Sequence, residues 1–185
     1  MGDDGPRLKF ELHVPGVVIG VDNIKLTGLS RRFGRSEHAG PYVIAGRASG
    51  LALDTAHQYD QGHRVATWPP HALPHQLWYL RPSGVKDEAA IISAASGLAL
   101  DSTRDTSGDI HPVMWEPNGV PWQRWRLEPT PDGIGFLIKS PHNGNFLTLS
   151  EEARNHLDEP WHPWFAPREG NHSQQWIFSL PMGHI

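Results

Sequence analysis

The chain repeats itself, and the repeat limits the fold before any other feature is considered. Ser49-Gly50-Leu51-Ala52-Leu53-Asp54 returns letter for letter, 47 residues on, as Ser96-Gly97-Leu98-Ala99-Leu100-Asp101. The same offset carries Trp68 onto Trp115, Pro70 onto Pro117, Gln76 onto Gln123 and Trp78 onto Trp125. A third, diverged copy follows: Ile91 maps to Ile138, Ser93 to Ser140, Gly97 to Gly144 and Leu100 to Leu147. Its Gln174-Gln175-Trp176 comes 51 residues after Gln123-Arg124-Trp125, so four residues are inserted between Gly144 and Gln174. Thr148 stands where the first two copies have Asp54 and Asp101. Units of this size cannot bury their own apolar face and must pack on one another. The units run over about 40–86, 87–133 and 134–181, leaving 1–39 as an extension and linker.

Helix signals are scarce. Seventeen Pro and 19 Gly interrupt every potential helical window. Short β-branched and aromatic runs lie between turn residues, as in Tyr42-Val43-Ile44-Ala45, Arg64-Val65-Ala66-Thr67-Trp68 and Gln76-Leu77-Trp78-Tyr79-Leu80. Four such runs per unit predict about twelve short strands in an all-β fold. Threefold repetition selects a closed barrel with pseudo-threefold symmetry over a sandwich, with Ile44, Ile91 and Ile138 in equivalent core positions.

At this point the pattern resembles a known family. Three units, each with a Gly-x-x-Leu-Asp-like segment and a closing Gln-x-Trp (Gln76-Leu77-Trp78, Gln123-Arg124-Trp125, Gln174-Gln175-Trp176), resemble the ricin-type β-trefoil lectins. The resemblance covers residues 40–181. It implies a β-trefoil, a six-stranded barrel capped by three hairpins, with one potential sugar pocket per repeat. It also implies that Trp78, Trp125 and Trp176 are core residues, each ring burying ~150–250 Å². The pocket chemistry is a carboxylate that accepts from two adjacent hydroxyls and an aromatic ring lying on the sugar C–H face. The positions that match the family are Asp54 with Trp68, and Asp101 with Trp115. Gln76 and Gln123 would orient the carboxylates. Where the best-known members have Asn before this Gln, the chain has His75 and Trp122, which would complete the two sites. Where the family often has Gln two residues before the aromatic, it has Ala66 and Val113. The terminal sugar is therefore left open, galactose included. The third repeat, with Thr148 for Asp and Trp161, Trp164 and Phe165 crowding its aromatic position, is expected to hold no site of the family type.

Other function classes are disfavoured. The net charge of −4 and pI near 6.3 argue against a general nucleic-acid binder, with Arg31, Arg32 and Arg35 the one basic cluster. There is no Gly-x-Ser-x-Gly, no His-Glu-x-x-His and no phosphate-binding Gly loop, so no catalysis and no cofactor are expected. The chain has 12 His and no Cys. His71 and His75 have a tempting spacing, but Pro74 disfavours the helix that would align them, and no metal site is expected. Asp101, Asp105 and Asp109 do not match a calcium-loop spacing. The acidic start lacks a secretory pattern and no apolar run approaches ~18 residues, so no membrane insertion is expected; the compartment is left open, with a cytoplasmic or non-classically released protein the expectation.

Residues 8–14 alternate apolar and polar, Pro15-Gly16 is a turn, and Val17 to Leu26 reads as a second strand. Such a hairpin is marginal alone and would pack on the trefoil, pair with a second copy as a homo-oligomer, or be the remnant of a preceding domain. The expected function is that of a non-catalytic lectin whose partners are glycans, bound in the first and second repeats. The alternatives are a protein-interaction or inhibitor module with vestigial pockets, and the targeting half of a larger toxin or enzyme.

Overall fold

The structure, a computed structural model, describes residues 11–14, 17–20, 38–102 and 111–181. The extension contributes β1 (Glu11–Val14) and β2 (Val17–Gly20). These pair antiparallel as a separate two-stranded sheet, with Val14 opposite Val17. The remainder of the expected hairpin, the arginine cluster and the Asp105 and Asp109 positions lie outside the described residues.

The other twelve strands follow in order: β3 (Ala39–Gly46), β4 (Ala52–Asp54), β5 (Ala66–Trp68), β6 (Trp78–Pro82), β7 (Ala89–Ser93), β8 (Ala99–Asp101), β9 (Val113–Trp115), β10 (Arg126–Pro129), β11 (Phe136–Lys139), β12 (Phe146–Thr148), β13 (Trp164–Ala166) and β14 (Gln175–Ser179). Strands β3, β6, β7, β10, β11 and β14 form the barrel. β14 pairs with β3, β3 with β6, β6 with β7, β10 with β11, and β11 with β14. The ring closes where Ala89 and Trp125 exchange two backbone hydrogen bonds of 2.9 and 2.8 Å. The hairpins β4–β5, β8–β9 and β12–β13 cap it, one per repeat. The all-β trefoil expected from the repeat is the fold of the chain.

The repeated Ser-Gly-Leu letters are turn chemistry. Gly50, Gly97 and Gly144 take φ of +75°, +74° and +79°, a region open to glycine at little cost. Each donates its N–H back across the turn, to the carbonyls of Gly46, Ser93 and Ser140. Ser49 and Ser96 Oγ accept from the N–H of Leu51 and Leu98, both at 3.2 Å. In the diverged copy Asn143 takes over this role, accepting from Asn145 N–H.

Trp78, Trp125 and Trp176 are fully buried around the pseudo-threefold axis, together with Ile44, Ile91 and Ile138. Each indole N–H donates to an equivalent carbonyl, Leu53, Leu100 and Leu147, at 3.1, 3.1 and 2.8 Å. Burying a ring of this size with its N–H satisfied is what lets one residue type anchor all three repeats. Among the described residues there are four 3₁₀ turns: Pro74–Gln76, Pro121–Gln123, Glu151–Asn155 and His172–Gln174. Among the described residues no helix is long and apolar enough to cross a membrane.

Candidate functional site

Each repeat places its Gln at the end of a 3₁₀ turn, and these three glutamines are the hubs of the caps. Gln76, Gln123 and Gln174 are buried, and their polar atoms are satisfied in the same way three times. Nε2 donates to the last residue of the first cap strand: Asp54 Oδ2 at 2.9 Å, Asp101 Oδ2 at 3.0 Å and Thr148 Oγ1 at 3.1 Å. The second Nε2 proton goes to the carbonyl just beyond the second cap strand, of Pro69, Glu116 and Pro167. Oε1 accepts from the backbone N–H of His71, Asn118 and Glu169. The glutamine thus joins both cap strands to its own turn and holds the carboxylate still.

The cap register puts carboxylate and aromatic on one face. Asp54 is opposite Ala66, and Ala52 opposite Trp68, so Asp54 and Trp68 are diagonal neighbours across the hairpin. Asp101, Val113, Ala99 and Trp115 repeat that register. Trp68 and Trp115 are half-buried, each at the end of its strand.

The first repeat has a cleft of about 450 Å³ lined by Asp54, His57, Trp68, His71, His75 and Pro160, among others. This volume suits a small ligand. Asp54 forms its floor. Its Oδ1 accepts from Ala56 N–H at 2.6 Å and its Oδ2 from Gln76. Three imidazoles line the cleft with it. His71 Nε2 and His75 Nε2 lie 3.7 and 3.8 Å from Asp54 Oδ2. The His75 ring packs against His57 at 3.9 Å and His71 at 4.8 Å between centroids. Burial pulls the His75 pKa below its ordinary value. Asp54 opposes that shift, and His57 and His71 add to it.

The two histidines come together here without an α-helix. The proline does prevent an α-helix, but the 3₁₀ turn it opens brings His71 and His75 to the same carboxylate oxygen. Asp54, His71 and His75 offer one ligand atom each, all within 4.8 Å of one another, a grouping able to hold a metal ion. His57 and His71 were not expected in the site. His57 reaches it because Ala56 and His57 both adopt left-handed backbone, φ +51° and +58°.

In the second repeat Asp101 is buried and oriented by Gln123, and Trp122 precedes that Gln as His75 precedes Gln76. The Trp122 ring meets His142 edge-on at 5.4 Å.

The comparisons with known proteins agree with this architecture. A model of the family described as ricin-type beta-trefoil lectin domain-like matches residues 32–113 and 74–160, more than half of the chain. The chain belongs to this family. Carbohydrate binding is the family's property, and the lectin domain of the family is non-catalytic. Among curated proteins none matches the sequence significantly. Among solved structures the chain is similar to ThreeFoil, a designed threefold-symmetric protein, at 22% identity and TM-score 0.66, covering 76% of this chain and 99% of that one. It is similar to the ricin B-like lectin of Macrolepiota procera, solved in complex with lactose, at 20% identity and TM-score 0.61, covering 77% and 98%. It is similar to a mosquitocidal holotoxin at 15% identity and TM-score 0.67, covering 76% of this chain but 17% of that one.

The third repeat of this ricin-type domain departs as expected in its first strand and unexpectedly in its second. Thr148 takes the Gln174 hydrogen bond in place of a carboxylate. Ala166, opposite Phe146, occupies the register position of Trp68 and Trp115. Trp164 lies directly opposite Thr148, two residues out of step, and lines a separate cleft of about 460 Å³ with Ser150, Glu169 and Asn171. Phe165 is core and stacks on Trp125 at 5.5 Å. The longer segment before β13 turns toward the first repeat. Trp161 C=O accepts from Thr67 N–H at 2.7 Å, and Pro160 walls the first cleft.

Proposed function

We propose that the chain recognises glycans through the caps of its first and second repeats, Asp54 with Trp68 and Asp101 with Trp115. Two adjacent sugar hydroxyls donate to the carboxylate, and the indole covers the sugar C–H face. His75 and Trp122 flank the carboxylates in the two sites. The observation that carries the reading is the twice-repeated Gln-to-Asp hydrogen bond, at 2.9 and 3.0 Å, with a tryptophan at the same diagonal register. A carboxylate oxygen has more than one lone pair, so accepting from a glutamine does not prevent it from also accepting from a ligand hydroxyl. Two shallow sites on one rigid barrel gain through multivalency on glycan-dense surfaces.

The test is a glycan array followed by titration with the glycan that scores. Asp54→Asn keeps the shape of the first pocket and removes its charge, so affinity at that pocket should fall by ~1.5–3 kcal/mol. Avidity for a multivalent surface should fall further than the remaining site affinity. The Asp54→Asn/Asp101→Asn chain should stay folded and lose binding. Full binding by that folded variant overturns the reading. A second reading, the targeting module of a larger toxin, is favoured by the holotoxin likeness, in which a chain of this fold is a small part of the whole. A neighbouring catalytic or pore-forming segment in the same reading frame would support it.

A further inference from the structure

We infer that the first cleft is a site for a divalent first-row transition ion such as Zn²⁺, held by Asp54 Oδ2, His71 Nε2 and His75 Nε2. Two imidazoles and one carboxylate are a borderline-soft donor set suited to zinc and its neighbours and poorly suited to calcium or magnesium. Tetrahedral zinc with ligands at 2.0–2.1 Å sets its donor atoms about 3.3–3.4 Å apart. The carboxylate oxygen already lies 3.7 and 3.8 Å from the two ring nitrogens, and one ligand atom from each of the three residues lies within 4.8 Å of the others. The two carboxylate–imidazole gaps therefore need to close by a few tenths of an ångström and the imidazole–imidazole gap by no more than about 1.5 Å.

The site is built from a fixed floor. Asp54 is 1% exposed and His75 6%. Both Asp54 oxygens are pinned by second partners, Ala56 N–H and Gln76 Nε2, the outer-shell hydrogen bonding that orients a ligating carboxylate. His71 is the exposed, adjustable member. Ligation through Nε2 moves its proton to Nδ1 and gives up the 3.2 Å contact with Leu73 N–H, an exposed bond worth little. Three protein ligands leave a coordination position for water or a ligand hydroxyl, as in open zinc sites, and the cleft beside Trp68 lies over it.

The threefold scaffold supplies its own control. The backbone N–H groups of His71, Asn118 and Glu169 make the same hydrogen bond to the hub glutamine, so these three positions are equivalent. The residues before the glutamines are His75, Trp122 and Ser173. One backbone thus carries Asp/His/His, Asp/Asn/Trp and Thr/Glu/Ser, and the first repeat alone has two imidazoles at its carboxylate. The trefoil does not require histidine at either position.

The experiment is calorimetric titration of the full, untagged, metal-stripped chain with ZnCl₂ in a non-chelating buffer, with no sugar present, and a parallel titration with CoCl₂ followed in the visible. One saturable site per chain and the intense visible band of four-coordinate Co²⁺ are expected. His71→Ala, at an exposed position, should weaken zinc by at least about 100-fold, the upper range for losing even an outer-shell partner. His71→Ala/His75→Ala, with folding checked by circular dichroism, should abolish the cobalt band. No saturable zinc site in the parent, or unchanged affinity and cobalt spectrum in folded His71→Ala, overturns the proposal. Because the titration contains no glycan, its failure is separate from any failure of the lectin reading.

Discussion

A buried glutamine with both protons and its carbonyl engaged can serve only one role, and that is why the same residue recurs in three diverged repeats. Gln123 gives one proton to Asp101, one to the Glu116 carbonyl, and accepts from Asn118 N–H. Gln123→Glu preserves the shape and exchanges a donor for a second carboxylate 3 Å from the first. That substitution should destabilise the fold by about 2–3 kcal/mol, through an unsatisfied buried acceptor and like charge. Urea unfolding of the variant measures it, and an unchanged midpoint would show that the hub does not carry the cap. The members of this hub were legible in the sequence, because Asp, Gln and Trp recur as letters at one offset. His57 and His71 were not. Left-handed backbone at Ala56 and His57 is uncommon for residues with a Cβ and leaves no compositional mark, and a 3₁₀ turn after Pro74 obeys a different spacing from the α-helix that was weighed and set aside.

At the scale of the cap hairpins, register decides which pockets share a chemistry. In β4–β5 and β8–β9 the tryptophan lies diagonal to the aspartate, whereas in β12–β13 the ring has moved to the position directly across from Thr148. The four-residue insertion made this ambiguous from sequence, since Trp161, Trp164 and Phe165 all fell near the expected place. Pairing resolves the three: Phe165 is core, Trp161 bridges to Thr67, and Trp164 faces another cleft. The absence of a family-type arrangement in this repeat therefore has two causes, and repairing one should not suffice. Thr148→Asp, placed in the Asp54→Asn/Asp101→Asn background, should accept the Gln174 hydrogen bond and still restore no glycan binding on an array. Restored binding would mean that the carboxylate alone makes a site, and that the diagonal indole is dispensable in the first two repeats as well.

For the whole molecule, the arrangement of barrel strands states which part of the chain the fold needs. The barrel ring closes within residues 39–179, through β14 against β3 and the Ala89–Trp125 exchange, and among the described residues β1 and β2 pair as sheet strands with each other alone. The threefold core of Trp78, Trp125 and Trp176 likewise lies inside that span. Sequence periodicity carried this level almost completely, because twelve strands and three equivalent core positions follow from one offset. It could not carry the role of the extension, which has no counterpart in the repeats to be compared with. A chain cut to residues 38–185 should accordingly keep its β spectrum and a single cooperative unfolding transition, since no barrel or cap strand is removed. Analytical ultracentrifugation of the cut and full chains then isolates what the hairpin does. A full chain that associates and a cut chain that does not would assign β1–β2 to pairing between copies, the fate expected of an otherwise marginal two-stranded sheet. A cut chain that loses cooperative unfolding would show instead that the extension completes the core, and that a barrel closed in its hydrogen bonds is not closed in its packing.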